Sequence, residues 1–419
     1  MNWFLLISLA TVAVARKSPN ADKIAQLRNQ AGSRFSDNVL EDAELDVPGL
    51  IAKYGYPVEV HTVVTSDGYI LEAHRIPHGR NNESDTKKPV VFVMHGLLSS
   101  SADFLVLGPG NALGYLLADA GYDVWFGNAR GNYYSRNHVS MSPDHWRQDF
   151  WRFSWDEIGN HDLPAFIDYV LETTGQQKLH YIGHSQGGTS FLVLNSLRPE
   201  YNEKFISFQG LAPASYFTYN ENEVFNELAP LENIIETTAF TLGFAEIFGG
   251  NDFIPRLMNA LCGDNSIFGS LCNNVMSINI NEIFARYNET ITPILLGHTP
   301  AGASIRQVAH YAQVIRFDQF RRYNFNVMTN LATYGRTTPP EYNLSRVTAP
   351  TYIHYGLADN QVDYRDLLLL AARLPNTIAT VQVEREDFNH FDFIWGIDAK
   401  SMFYDKLLDY MKNAENRFL

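Results

Sequence analysis

The stretch HYIGHSQGGTSFL, residues 180–192, decides the fold prediction. Its first residues form an apolar run typical of a buried strand, and its last residues follow a helical pattern. Between them lies Gly183-His184-Ser185-Gln186-Gly187, where small residues allow a sharp turn with Ser185 at its tip. This five-residue pattern also arises by chance, so the rest of the chain must distinguish a nucleophilic serine from a small-residue turn.

The segments around this turn alternate between strand and helix patterns. We predict a hairpin over 58–76, strands over 89–96, 122–131, 178–183, 205–213, 349–356 and 377–384, and helices over 111–121, 154–175, 187–197, 364–374 and 398–413. This alternation indicates an α/β fold with a mostly parallel sheet and helices on both faces. From 216 to 342 the pattern becomes helical, aromatic and irregular, so we predict a core in two parts, 46–215 and 343–419, interrupted by a helical cap.

The N-terminus indicates the secretory route. Residues 1–15 contain an apolar run, too short to span a bilayer, that ends in Ala13-Val14-Ala15, a pattern typical of a cleaved signal peptide. No later stretch is long enough for a membrane span. Residues 16–45 are expected to be a loose arm or a propeptide. We therefore expect a secreted or lysosomal protein.

Two further features fit an oxidising compartment. Cys262 and Cys272, the only cysteines, are close enough for a disulfide, although two buried free thiols are the alternative. Glycosylation sequons begin at Asn82, Asn288 and Asn343.

The composition of the chain limits the classes of partner that we expect the protein to bind. The 419-residue chain has 45% hydrophobic and 19% charged residues, as ordinary globular proteins do, and a formal net charge of −14. That charge disfavours a nucleic-acid partner, which would need a clustered basic face. The sequence contains no metal-ligand motif of the His-Glu-x-x-His or paired Cys-x-x-Cys type, so we expect no metal or cofactor. We also expect a monomer.

A serine alcohol needs a base to act as a nucleophile, and in this type of fold the order along the chain is serine, acid, histidine. Asp359 follows the strand pattern at 349–356, and His390 lies on the loop after the last strand. Other acidic candidates are Asp363 and Asp387. His354 is the rival base, but it falls within a strand pattern typical of the core.

An oxyanion intermediate needs two backbone N–H donors. One is expected from Gln186, through its backbone rather than its side-chain amide, and the other from Leu97 in the loop that follows an early strand. His95 is expected to shape that loop. His184, although adjacent to Ser185, is not expected to be the base.

The quoted motifs also carry a family resemblance. KYGYPVEVHTVVTSDGYIL, VMHGLLSS, NARGNYYSRNH, FSWDEIGNHDLPAFIDYVL, YIGHSQGGTSF and FNHFDFIWG together resemble the acid lipase family, which includes gastric lipase, lysosomal acid lipase and secreted insect lipases. The resemblance implies an α/β-hydrolase core, a helical cap and hydrolysis of long-chain acyl esters. It assigns Ser185 as nucleophile, Asp359 as acid and His390 as base. It also implies that Leu97 and Gln186 are the oxyanion donors and that the two cysteines form the cap disulfide.

The substrate prediction depends on the cap. A large aromatic insertion over the catalytic face can build an apolar pocket for acyl chains, such as those of triacylglycerols or sterol esters at a lipid–water interface. Residues 237–258 fit either an amphipathic lid or a helix of the cap core, because one apolar stripe serves both purposes. Two other functions stay open at this point: an esterase for short or specialised esters, and a non-catalytic lipid-binding protein.

Overall fold

The fold is seen in a computed structural model, which describes residues 17–30, 35–81, 87–248 and 289–418. Some predictions therefore lie outside the described residues: the signal peptide, the pairing of Cys262 with Cys272, and the sequons at Asn82 and Asn288.

Eleven strands are described. They are β1 (Glu59–Val64), β2 (Tyr69–Ile76), β3 (Val90–Met94), β4 (Asp123–Gly127), β5 (Asn137–His138), β6 (Leu179–His184), β7 (Phe205–Leu211), β8 (Glu246–Ile247), β9 (Ala303–Ser304), β10 (Thr351–Tyr355) and β11 (Thr377–Gln382). The main sheet has the order β1-β2-β4-β3-β6-β7-β10-β11, and β5 pairs with β2. From β4 to β11 neighbouring strands are parallel, whereas β2 is antiparallel to both of its main-path neighbours. The predicted mostly parallel α/β sheet is confirmed.

The described α-helices are α1 (Ala21–Gln30), α2 (Asp37–Glu44), α3 (Val47–Lys53), α4 (Leu113–Asp119), α5 (Trp155–Glu157), α6 (Leu163–Thr174), α7 (Gln186–Leu197), α8 (Glu223–Leu228), α9 (Glu232–Leu242), α10 (Thr292–His298), α11 (Ile305–Phe317), α12 (Val327–Tyr334), α13 (Tyr364–Arg373), α14 (Asp392–Trp395) and α15 (Asp405–Phe418). A π-helical turn, Ile158–Asp162, joins α5 to α6. Within the described ranges, no helix combines the length and apolar character needed to cross a bilayer.

Local sequence signals explain the elements that carry the site. Every residue of β3, β6, β7 and β10 is buried, as expected for strands covered by helices on both faces. A capping box forms at Ser154, the start of the helix predicted over 154–175: Glu157 accepts from the Ser154 backbone N–H at 2.6 Å. The helical segment that starts there ends at Gly175, whose φ of 62° suits glycine.

The chain between β7 and β10 contains helices α8 to α12 and the short antiparallel ribbon β8–β9. Of the segment 237–258, the described part contains the end of α9, which stops at Gly243, and β8. The remainder lies outside the described residues.

The N-terminal arm is hydrogen-bonded to the part of the chain between β7 and β10, which we call the inserted segment. Asn20 donates from its backbone N–H to the Gly297 carbonyl at 2.9 Å and from Nδ2 to the Pro300 carbonyl at 3.2 Å. A Cβ placed on Gly297 would come within 2.3 Å of the Ala43 carbonyl oxygen, so helices α2 and α10 approach closely there. The described part of residues 16–45 is therefore packed, although the sequence allowed a loose arm.

Candidate active site

Ser185 occupies the turn between β6 and α7, as the strand–turn–helix pattern predicts. Its backbone has φ 51° and ψ −118°, a conformation that side-chain-bearing residues rarely adopt. The surroundings hold it there: the Ser185 N–H donates to the Leu211 carbonyl at 2.9 Å, and its own carbonyl accepts from Gly188 N–H at 2.9 Å. Such strain at a tight turn is typical of functional sites.

Glycine permits the close packing behind this turn. A Cβ on Gly187 would lie 2.3 Å from the Met94 carbonyl oxygen, so only glycine allows the start of α7 to rest against the end of β3. On the opposite side, a Cβ on Gly96 would lie 3.2 Å from the Ser185 Cβ. The loop after β3 therefore passes directly over Ser185.

Asp359 and His390, predicted as acid and base, are hydrogen-bonded. The His390 Nδ1–H donates to Asp359 Oδ2 at 2.8 Å, and both side chains are buried. The other carboxylate oxygen, Oδ1, accepts from the backbone N–H groups of Gln361 and Val362, both at 2.9 Å. Three donors thus fix the carboxylate. The carboxylate in turn orients the imidazole ring through Nδ1, so Nε2 is the ring nitrogen that remains for other contacts.

The rival residues have other contacts. His354 is buried in β10, where its Nε2 lies 2.8 Å from Gln209 Oε1. Asp363 caps α13 by accepting from Arg365 N–H at 2.8 Å. Asp387 is largely exposed and pairs with Arg385. Among these candidates, the described geometry joins Asp359 to His390.

The His184 side chain contacts the backbone of His390. The His184 Nε2–H donates to the His390 carbonyl at 2.9 Å, and the ring centroids are 4.7 Å apart. Burial, together with the nearby His390, lowers the pKa of His184 well below 6.5. A neutral His184 therefore supports the loop that carries His390 and is unsuited to take up a proton.

His95 holds the loop that contains Leu97. Its Nδ1 lies 2.7 Å from the Gly96 carbonyl, and its Nε2 accepts from the Ala129 N–H at 3.1 Å. Burial lowers the pKa of His95 to about 4, so the ring is neutral at physiological pH. The next residue in the loop, Leu98, has φ 63°, and its carbonyl accepts from Ala301 N–H at 2.7 Å. The inserted segment thus supports this loop directly.

Gln186 is the first residue of α7, which places its backbone N–H at the N-terminal end of a helix beside Ser185. The sequence analysis assigned a role to this backbone group and none to the side-chain amide. The structure shows that this amide is buried and that its Nε2 donates to Gln307 Oε1 in α11 at 2.6 Å. The prediction concerned the Gln186 backbone alone, and this contact of its side chain was not part of it.

The buried carboxyl group of Asp103, which the sequence analysis did not single out, lies beside the loop that follows β3. Ser99 Oγ donates to Asp103 Oδ2, and Asp103 is 2% exposed. Burial raises the pKa of Asp103 from 3.8 to about 7, against the lowering effect of hydrogen bonds from Ser99 and Trp395. Asp103 therefore becomes protonated at mildly acidic pH.

These elements surround one mostly apolar cavity of about 400 Å³. Ser185 and His390 both line it, together with Gly96 and Leu97 of the loop over the serine. The remaining wall residues are Leu98, Ser99, Asp103, His184, Ala214, Phe217, Phe225, Phe248, Thr299, Val308, Tyr311, Ala312, Ile315, Gln361, Val362, Phe391, Ile394 and Trp395. Such a cavity suits an apolar ligand held by a few polar groups.

Among the described residues, no group of three or more histidine, cysteine, aspartate or glutamate side chains could hold a metal ion. Sequence reasoning missed Asp103, Gln307 and Trp395 at the site. No local motif marks these residues, and Gln307 reaches Gln186 only through a contact between positions 121 residues apart.

Comparison with known proteins identifies α/β-hydrolase families and lipases as similar to this chain. Residues 47–108 match the family described as a partial α/β-hydrolase lipase region, and residues 89–228 match the α/β-hydrolase fold family. The chain is 42% identical to Lipase 1 of Drosophila melanogaster, over 88% of this chain and 80% of that protein. It is 37% identical to gastric triacylglycerol lipase of Rattus norvegicus and 35% identical to that of Homo sapiens, each over 88% of this chain and more than 90% of the relative.

Proposed function

Because the chain belongs to the lipases of the α/β-hydrolase fold, and is thus a carboxylic ester hydrolase, we propose that Ser185, His390 and Asp359 are its catalytic triad. One observation carries this assignment. The 2.8 Å pair of His390 and Asp359 and the strained Ser185 turn meet at the wall of a single apolar cavity.

The mechanism follows from this arrangement. His390 Nε2 takes the Ser185 hydroxyl proton as the oxygen attacks the ester carbonyl. Asp359 keeps the imidazole in the Nδ1–H tautomer and stabilises the cation that forms. The alcohol leaves with the proton returned by His390, and water activated by the same imidazole then releases the acid from the acyl-enzyme.

The proposed oxyanion donors are the backbone N–H groups of Leu97 and Gln186. Support comes from the start of α7 at Gln186 and from the close passage of Gly96 over Ser185. Two preorganised donors in a water-poor cavity stabilise the tetrahedral oxyanion strongly, and loss of one such donor typically costs about 10²–10³-fold in kcat.

The proposed substrate is an ester of a long-chain fatty acid, such as a triacylglycerol or a sterol ester at a lipid–water interface. The volume and apolar lining of the cavity support an acyl chain as its occupant. We assign residues 216–342 to a cap, since helices α8 and α11 and Thr299 contribute wall residues. The gastric relatives are named for triacylglycerol hydrolysis.

The setting that we propose is the secretory pathway, with the protein secreted or lysosomal and monomeric. An exposed Asn343 is consistent with glycosylation at that sequon. The Cys262–Cys272 disulfide remains part of this proposal.

The experiment compares initial rates on emulsified long-chain triacylglycerol, cholesteryl oleate and a soluble short-chain ester from pH 4 to 8. Wild type, Ser185→Ala and Ser190→Ala are measured together. Ser190 is a matched control, because it is a buried serine in α7, the helix that follows Ser185, and lies outside the described cavity wall. We expect Ser185→Ala alone to abolish hydrolysis. Equal loss in both variants would contradict the triad, and activity confined to the short ester would contradict the long-chain substrate.

A further inference from the structure

Helix α11 of the inserted segment touches both the cavity and the turn that carries Ser185. Val308, Tyr311, Ala312 and Ile315 form part of the cavity wall. Gln307, on the same helix, contacts Gln186 instead. One helix therefore connects the surface that an acyl chain would contact with the residue next to the proposed nucleophile.

The contact itself is short and buried. Gln186 Nε2 lies 2.6 Å from Gln307 Oε1, and the two residues are 3% and 2% exposed. The Gln186 Oε1 atom has no hydrogen-bond partner among the described residues. In the part of the chain that the structure describes, the hydrogen bond to Gln307 is therefore what fixes this amide, and its loss would leave a buried donor unpaired.

Gln307 is itself anchored to the core. Its Nε2 donates to Ser304 Oγ at 3.4 Å, and Ser304 Oγ donates to the Phe153 carbonyl at 2.5 Å. The connection thus runs from the core at Phe153, through the inserted segment, to Gln186. A side chain held in this way restricts the backbone of Gln186, whose N–H is the proposed oxyanion donor.

We propose that Gln307 is a positioning residue for the oxyanion site, holding the Gln186 N–H in place from the helix that also lines the acyl cavity. This inference rests on the proposed function, because it assumes that the Gln186 N–H binds the oxyanion. Gln307 does not touch the reacting atoms. It acts through Gln186, so its effect belongs to transition-state stabilisation more than to substrate binding.

The test replaces the amide by an apolar side chain of similar size, Gln307→Leu. The matched control is Gln313→Leu, since Gln313 lies on the same helix, is equally buried at 2% exposure, and bonds to the backbone of Asn324 instead of to Gln186. Kinetics use a soluble short-chain ester, and a trifluoromethyl ketone serves as the probe of the oxyanion site. Its hemiketal adduct on Ser185 places an oxyanion between the two proposed N–H donors.

We expect Gln307→Leu to lower kcat about 10- to 100-fold with KM changed less than threefold, and to weaken binding of the ketone by the same factor as kcat/KM. Gln313→Leu should stay within about threefold of wild type in both measurements. Gln307→Glu, assayed near pH 5, keeps a side-chain oxygen that can accept from Gln186 Nε2 and should recover most of the lost kcat. It also provides the test if Gln307→Leu fails to fold.

Several outcomes would overturn the inference. One is an active wild type together with a Gln307→Leu variant whose kcat lies within twofold of the wild-type value. The others are an equal loss of kcat in Gln313→Leu, a change in the KM of Gln307→Leu alone, and no recovery of kcat in Gln307→Glu. Failure of the proposed function has a different signature. In that case wild type itself would neither hydrolyse the ester nor be inactivated at Ser185 by a fluorophosphonate.

Discussion

Replacing Ser185 by glycine should make the protein more stable than replacing it by alanine, although both changes remove the proposed nucleophile. The reason is the backbone at this position, with φ 51° and ψ −118°. Alanine keeps the Cβ atom and therefore the strain, whereas glycine adopts positive φ without penalty. The two variants lack the same hydroxyl group, so the difference between them reports on backbone strain.

The magnitude follows from two opposing quantities. A side-chain-bearing residue held in a sparsely populated backbone region costs about 1–3 kcal/mol. Glycine forfeits about 0.5–1 kcal/mol of this gain, because it loses more conformational entropy on folding. With a strain of about 2 kcal/mol and an entropic loss of about 0.75 kcal/mol, the free energy of unfolding of Ser185→Gly should exceed that of Ser185→Ala by about 1 kcal/mol.

The assay is urea unfolding at equilibrium, with the transition midpoints compared at equal slope. Ser190 provides the control, because it lies inside the regular helix α7. There Ser190→Gly should be less stable than Ser190→Ala by about 1 kcal/mol, the opposite sign. If Ser185→Gly were no more stable than Ser185→Ala, the claim that the turn stores strain would be refuted.

Three further predictions address the base, a buried acid and the N-terminal arm. Asp359→Asn should lower kcat about 10⁴-fold in initial-rate assays while the protein stays folded, because the neutral amide no longer selects the imidazole tautomer. The pKa of Asp103 is about 7 in the folded protein, against an ordinary value of 3.8 for the unfolded chain. The protonated carboxyl therefore contributes its full stabilisation of the folded state below about pH 4, and this contribution is lost as the pH rises to about 7. Unfolding titrations of Asp103→Asn should therefore lack a fall in stability on the order of 4 kcal/mol between these pH values, and an unchanged fall would contradict the assignment. Gly297→Ala should destabilise the protein and expose the arm to limited proteolysis, although alanine is the better helix former, because its Cβ would meet the Ala43 carbonyl at 2.3 Å; a stabilised variant would show that the arm is not packed there.

Much of the fold could be predicted because its signals are local. Continuous apolar runs such as Val90–Met94 identify buried parallel strands, and Ser154 with Glu157 marks the start of a helix within four residues of sequence. Asp359 and His390 could be proposed because the ends of parallel strands meet at one edge of the sheet. Topology therefore brings together residues that the sequence separates.

The remaining parts of the site depend on contacts without a local signal. Asp103 follows a serine-rich loop without a recognisable motif, yet it is buried in the structure, and this burial raises its pKa. The arm near Ala43 has no strong pattern of its own, and its close packing is possible because Gly297 has no side chain. Such features become visible only when distant segments are placed side by side.

The inserted segment reaches the proposed oxyanion site from two directions within seven residues. Ala301 donates its N–H to the carbonyl of Leu98, next to the proposed donor Leu97, and Gln307 binds the side chain of the second proposed donor, Gln186. Between them, β9 pairs with β8. If both donors depend on 301–307, exchanging the whole insertion to change acyl preference should also damage the chemical step. An exchange that keeps 301–307 and replaces cavity residues elsewhere should change the preference alone, because the supports of the two donors would be unaltered.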